Sequence, residues 1–337
     1  MFRLTSSLTL VAAVAATLSL AAQAPPASAP AGEVVGVGNF AHIVSDLDKS
    51  LAFYRDALGL EVGVSQPFAP NKAIEKLGNT LGGQSRFVAL KVPGTALGVE
   101  LIEYKDIDRR VQHPRFHDPG AANLALQVRD VDAVFARAMK VSGAKVITAA
   151  GKPVTIETPN GAIHVVFLQD PDGFVVELAG VATPATPGEP ASAVVGGQFE
   201  PSVASSEASV KFYNDLLGFN FQLGPSFNPN KQMAETAGAP GASFKQSSTS
   251  IPGSSVRMTL IEFKDIDRTP LTGRVQDPGT AILQLRVRDV VALTAKLKAA
   301  GVPVVTTGGE PVDVINGIKI AIVRDPNNVM LELIQAR

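Results

Sequence analysis

Chemistry in this chain must come from imidazole, carboxylate and amide groups, because it has no cysteine and only four histidines in 337 residues. Thiolate nucleophiles, thiolate metal sites and disulfides are therefore excluded. His42 stands out, in the apolar run that opens FAHIVSDLDKSLAFYRDALGL. On a strand it shares a face with Phe40 and Val44, so it is either a buried ring with a partner or a ligand. Glu100 and Glu103 in GVELIEY have opposite parity, so one of them faces inward. Glu177 in FVVELAG and Glu332 in MLELIQ sit in two further strand-like runs. Imidazole and carboxylate suit zinc, nickel, manganese or ferrous iron, and neighbouring strands bring together ligands that are distant in sequence. His113 and His117 fall on a loop, where a turn role is the simpler reading. His164 opens a strand whose counterpart carries Lys319, which suggests a polar group facing a cleft. Asn71 and Lys72 match Asn230 and Lys231 in a loop expected to fold over the cleft. The chain has no Ser-His-Asp order with a strained nucleophile turn, no GxGxxG after a strand and no Walker-type loop.

The elements that position these groups are repeated. A shift of 159 residues carries FYRDALGL onto FYNDLLGF, APNK onto NPNK, LIEYKDIDR onto LIEFKDIDR and QVRDV onto RVRDV. Such self-similarity marks two homologous domains, at 33–181 and 195–337. The Pro- and Ala-rich stretch 182–194 between them reads as a semi-rigid linker. Within each domain a weaker repeat appears: a strand leading into a helix that stops on Gly59, Gly143, Gly218 or Gly301, then about three strands. The first helix has Ser45 or Asp46 as its cap, with Leu47, Leu51, Tyr54 and Leu58 along one face.

A composition of 45% hydrophobic and 18% charged residues is globular, and a net charge of −1 supplies no basic footprint for nucleic acid. Residues 1–31 read as a signal peptide: Arg3, then LTSSLTLVAAVAATLSLAA, then small residues that permit cleavage after Ala31. Export to the periplasm or medium follows, with no stable membrane partner after cleavage; an uncleaved N-terminal anchor is the alternative.

AFYRDALGL, VELIEYKD and QDPDGFVVELAG resemble the vicinal oxygen chelate (VOC) superfamily, which includes glyoxalase I, bleomycin-resistance proteins and extradiol dioxygenases, and the resemblance covers both halves. It implies an α+β fold: tandem domains, each of two βαβββ modules that curl into a half-open barrel around a cleft, a pseudo-dimer within one chain. It also implies a small-molecule ligand and, in metal-dependent members, a divalent ion (Mn, Zn, Ni, Fe or Mg) held by the first and last strands of each module. Carried over to this chain, the ligand positions are His42, Glu100, Asn123 and Glu177, with Pro201, Thr259, Ile282 and Glu332 in the second half. Asn123 stands where the family commonly has histidine, which favours oxygen-preferring ions.

Modules pair within a domain, giving His42, Glu100, Asn123 and Glu177, or across domains, giving His42 and Glu100 with Ile282 and Glu332. The opposite cross-pair, Pro201, Thr259, Asn123 and Glu177, is expected to be inactive. Glu100 or Glu177 would act as general base on a small oxygenated substrate chelated through two oxygens, in a lyase- or dioxygenase-type reaction. The rival reading is a metal-free binding protein with Phe40, Phe53, Phe68 and Phe87 as apolar walls.

Overall fold

The structure is a computed structural model that describes residues 33–158, 161–180, 193–315 and 317–335. The signal-peptide segment and most of the linker lie outside the described residues.

Helices start where a short polar side chain closes the first turn. Asp46, Asn71, Asp130, Ser205, Asn230 and Asp289 each accept hydrogen bonds from backbone N–H groups one turn ahead. The first module consists of β1 (Val34–Val44), α1 (Leu47–Leu51, continued by the π-helical turn Ala52–Ala57), β2 (Glu61–Ala69), α2 (Lys72–Gly78), β3 (Gln84–Lys91) and β4 (Gly98–Lys105). The second has β5 (Ala122–Val128), α3 (Val131–Ala138), β6 (Lys145–Val146), β7 (Val154–Thr158), β8 (Gly161–Gln169) and β9 (Val175–Gly180). The third has β10 (Val194–Val203), α4 (Ser206–Leu217), α5 (Lys231–Thr236), β11 (Ser243–Ser250) and β12 (Arg257–Lys264). The fourth has β13 (Ala281–Val287), α6 (Val290–Ala299), β14 (Val312–Ile315), β15 (Ile318–Arg324) and β16 (Met330–Gln335).

The expected stop glycines, Gly59, Gly143, Gly218 and Gly301, all have positive φ, a conformation open to glycine at no steric cost. The third module departs from the pattern, since among the described residues no strand there matches β2. Instead Phe219 and Phe221 turn inward and stack at 5.6 Å, with Tyr213 against both. Gly224 and Pro225 follow them and interrupt the extended run.

Two curled sheets result. One has the order β14-β15-β16-β13-β1-β4-β3-β2 and the other β11-β12-β10-β5-β9-β8-β6, with β7 on β8. The modules therefore pair across the sequence halves: first with fourth, and second with third. The seams are antiparallel, β1 with β13 and β10 with β5, so the chain is built as a pseudo-dimer. Phe40 and Phe199, equivalent in the repeat, meet at 5.3 Å within the main core. Two smaller apolar clusters line the concave faces of the sheets.

Candidate functional site

Residues on β1 alternate between two buried environments. Phe40 and Val44 belong to the main core, whereas Ala41 and Ile43 pack with Tyr104, Ile282, Ile322 and Met330 on the concave face of the first sheet. His42 shares its parity with Phe40 and is fully buried, its ring 4.6 Å from that of Phe174. Its Nε2 lies 2.8 Å from Asp170 Oδ2, and its Nδ1 lies 3.3 Å from the carbonyl oxygen of Thr280. Both nitrogens face acceptors, which suits the doubly protonated ring. Burial alone would lower the imidazole pKa; attraction to Asp170 and Asp172 outweighs it and the net shift is upward. Asp170 also accepts from the Tyr54 hydroxyl at 3.0 Å and from the N–H groups of Asp172 and Phe174. Asp172 accepts from the backbone N–H and the hydroxyl of Ser45.

The second half shows why a cation belongs there. Tyr213 donates to Asp325 as Tyr54 does to Asp170, but Pro201 replaces His42 and Asn327 replaces Asp172. One extra carboxylate accompanies one extra imidazole. His42 therefore lines neither cleft, and the sets that joined it to Glu100 with Asn123 and Glu177, or with Ile282 and Glu332, do not assemble. The parity shared with Phe40 was the signal in the sequence.

Glu100 and Glu332 do come together. They line a cleft of about 190 Å³ in the first sheet, with Gln284 between them. Gln284 Nε2 donates to Glu100 Oε2 at 2.6 Å, and its Oε1 accepts from the Asn39 N–H at 2.9 Å. Gly38 permits this approach, since a Cβ there would stand 2.8 Å from Gln284 Cβ. Burial, and then the charge of Glu100, pushes the Glu332 carboxyl up to about 8. Burial also raises Glu100, with Gln284 and Asn39 pulling it back. Gln66, Asn71, Ser85 and Tyr104 add polar groups to the wall. Asn71 also caps α2, whose Ile74 and Leu77 close one side. Of the four expected apolar walls only Phe87 serves. Phe40 and Phe53 are core, and Phe68 lies beneath Arg86 and Lys105.

The second cleft, about 180 Å³, holds a pair of a different origin: Glu177 from β9 and Glu200 from β10. Asn123, directly opposite Glu200 in the β5–β10 ladder, donates to Glu200 at 2.8 Å and to Glu177 at 3.3 Å. Gln198 donates to the other oxygen of Glu200 at 2.6 Å. Burial and mutual repulsion push Glu177 well up, and burial raises Glu200, so the pair favours sharing a proton. The cross-pair expected to be inactive thus has two carboxyls, because Glu200 precedes Pro201 on the opposite face of the strand.

Each cleft has a carboxyl pair with an amide beside it, Asn123 donating to both members of its pair and Gln284 to Glu100, yet only Glu177 and Glu332 occupy equivalent positions. Glu100 is matched by Thr259, Glu200 by Ala41, and Asn123 by Ile282. Asn39, Gln284, Gln198 and Glu200 were missed in the sequence; a carboxylate at 200 where its copy has alanine was the visible clue. Among the described residues no three His or carboxylate side chains are grouped to hold a metal. The donors fit an oxygen-preferring divalent ion better than a nitrogen-preferring one: two crowded carboxyls and flanking amides, with Asn123 Oδ1 buried and without a partner.

The remaining candidates lie elsewhere. His164 is on the outer surface, bonded to Thr155 and Asp132 and not facing a cleft. His113 is exposed, and His117 is buried against Phe263. Glu103 and Glu262 anchor helix starts, accepting from the N–H groups of Leu47 and Ser206.

The profile of the glyoxalase/bleomycin resistance protein/dioxygenase superfamily matches residues 36–178 and 198–333. The chain belongs to that superfamily. Over 147 residues it is 32% identical to a 2-epi-5-epi-valiolone epimerase from Actinomyces sp, an alignment covering 43% of this chain and 78% of that one. Glyoxalase I from Zea mays shares the fold, with a TM-score of 0.55 at 19% identity over 89% of this chain and 92% of the plant chain. A mutant form of the same plant enzyme aligns with a TM-score of 0.57 at 18% identity, covering 89% of this chain and 92% of that one. In this superfamily member both sheets carry a cleft with its own carboxyl pair.

Proposed function

We propose that the protein is an exported enzyme that moves protons on a small oxygenated substrate bound in the Glu100–Glu332 cleft. The observation that carries this reading is the pair itself: two carboxyls lining one cleft, with Gln284 donating to Glu100 and with Gln66, Asn71, Ser85 and Tyr104 as the neutral polar groups of an otherwise largely apolar wall. At neutral pH Glu332 is protonated and can donate, while Glu100 is the better candidate for the ionised base. The base takes a proton from carbon next to a carbonyl, and the acid returns one to carbon or oxygen. This is the chemistry of an isomerase, epimerase or lyase, and kinship with an epimerase supports it. Gln284 holds Glu100 in place, and Tyr104, Asn71 and Ser85 are placed to bond substrate hydroxyls. A divalent ion, if the enzyme takes one, would be held by the carboxylates of Glu100 and Glu332 and would polarise the carbonyl. Export rests on residues 1–31.

The test is hydrogen exchange at carbon, followed by NMR in deuterated water across a panel of small hydroxyketones. Deuterium should enter next to the carbonyl with the wild type and with Glu200→Gln, and fail to enter with Glu100→Gln. Absence of exchange across the panel, or exchange indifferent to Glu100→Gln, would refute the reading.

A further inference from the structure

The Glu177–Glu200 cleft differs from its partner in its walls. Phe116, Phe167, Phe244 and Phe263 surround the cavity of about 180 Å³. Their ring centroids are 5.6 Å apart for Phe116 and Phe167, 5.4 Å for Phe116 and Phe263, and 6.4 Å for Phe244 and Phe263. The rings thus form one continuous aromatic surface. Among the described residues no lysine, arginine or histidine lines the cavity. Lys245 lies between two residues that do, but its ammonium pairs with Glu207 and Glu262. Arg257 attracts Glu200 from outside the lining. In the other cleft the aliphatic side chains of Ile74, Leu77, Ile102, Val275, Ile282 and Ile322 predominate, and Phe87 and Tyr104 are the aromatic members of its lining.

Aromatic rings attract cations through their quadrupole, and carboxylates attract them by charge. A neutral polyol gains little from such walls, and an inorganic ion would use the carboxyls while leaving the four rings unused. We infer that this cleft binds a small organic cation, a substituted ammonium ion, at a site separate from the Glu100–Glu332 cleft. The volume suits a single quaternary head group, comparable to about six water-sized units of roughly 30 Å³ each.

Calorimetric titration of the full-length mature chain, with EDTA present, tests this using tetramethylammonium chloride and its neutral analogue tert-butanol. Tetramethylammonium should bind saturably at one site per chain, with tert-butanol weaker by roughly tenfold or more. Glu200→Gln and, separately, Phe263→Leu should each weaken the cation by about fivefold or more while circular dichroism stays unchanged. Phe167→Leu replaces the second variant if Phe263→Leu misfolds. Glu332→Gln should leave the affinity as it was, which separates this inference from the proposed catalysis. It is overturned by no saturable binding at tens of millimolar, by equal affinity for tert-butanol, by an unchanged Kd in Glu200→Gln, or by loss of binding in Glu332→Gln.

Discussion

Replacing His42 with alanine should destabilise the protein, and any manganese binding should survive the change. Truncating one partner of a buried ion pair costs about 3–5 kcal/mol, because the other charge is left without compensation. Here Asp170 keeps the Tyr54 hydroxyl and two backbone N–H groups, which places the electrostatic loss near the lower end. The ring contact with Phe174 adds about 0.5–1.5 kcal/mol. A total of roughly 4 kcal/mol is expected. The double variant His42→Ala/Asp172→Asn reproduces the charge balance around Asp325 and should recover about 1–2 kcal/mol of that loss. The sign with pH also follows. A histidine whose folded pKa is raised contributes stability that is fully present below its unfolded value of 6.5 and is lost as pH rises through the folded value. The gap between wild type and His42→Ala should therefore be widest near pH 5–6 and narrow in alkali. Urea denaturation at a series of pH values, with manganese titration of each variant, provides the measurement. A variant as stable as wild type that has lost manganese binding would refute the reasoning and restore His42 as a ligand.

Glu332 gives a pH dependence of the same sign, at the cost of a buried carboxylate rather than the loss of a cation. Its folded pKa is raised from 4.5 to about 8, so stability is lost as pH climbs between those values, and Glu332→Gln should exceed wild type at pH 7 by roughly 3 kcal/mol in urea denaturation. Gly38→Ala should displace Gln284 and release Glu100, cutting carbon-exchange activity by about tenfold at a stability cost of about 1–3 kcal/mol, read by NMR and thermal melting. Asn123→Leu should lower stability by about 1–3 kcal/mol, since both Glu177 and Glu200 lose a donor, without changing exchange in the other cleft. Mass spectrometry of protein secreted by a bacterial host should show a mature chain beginning at Gly32; retention of the full mass would disprove cleavage after Ala31.

Much of the architecture was written in contiguous residues. Caps such as Asp46 and Asp130, stop glycines such as Gly59 and Gly218, and the repeated FYRDALGL and FYNDLLGF act within one or two turns of chain, so they read directly as strand, helix and turn. The 159-residue repeat likewise read as two related halves, and the weaker repeat within each half as two modules. The missing strand of the third module was less visible, since it depended on Phe219 and Phe221 finding Tyr213 in three dimensions.

The tertiary structure decided which carboxyls meet. A strand edge carries the same hydrogen-bonding groups whichever module offers the partner, so nothing local to β1 or β5 selects β13 or β10, and only the assembled sheets join Glu100 to Glu332 and Glu177 to Glu200. It also decided the face. Alternation reveals direction when one side of a strand meets water, but on β1 Ala41 and Ile43 are as buried beside the cleft as Phe40 and Val44 are in the core. Apolar pattern alone is silent between two buried sides. That is why His42 could be read as a ligand, while the residues that do meet across the clefts, Gln284 and Glu200, drew no notice.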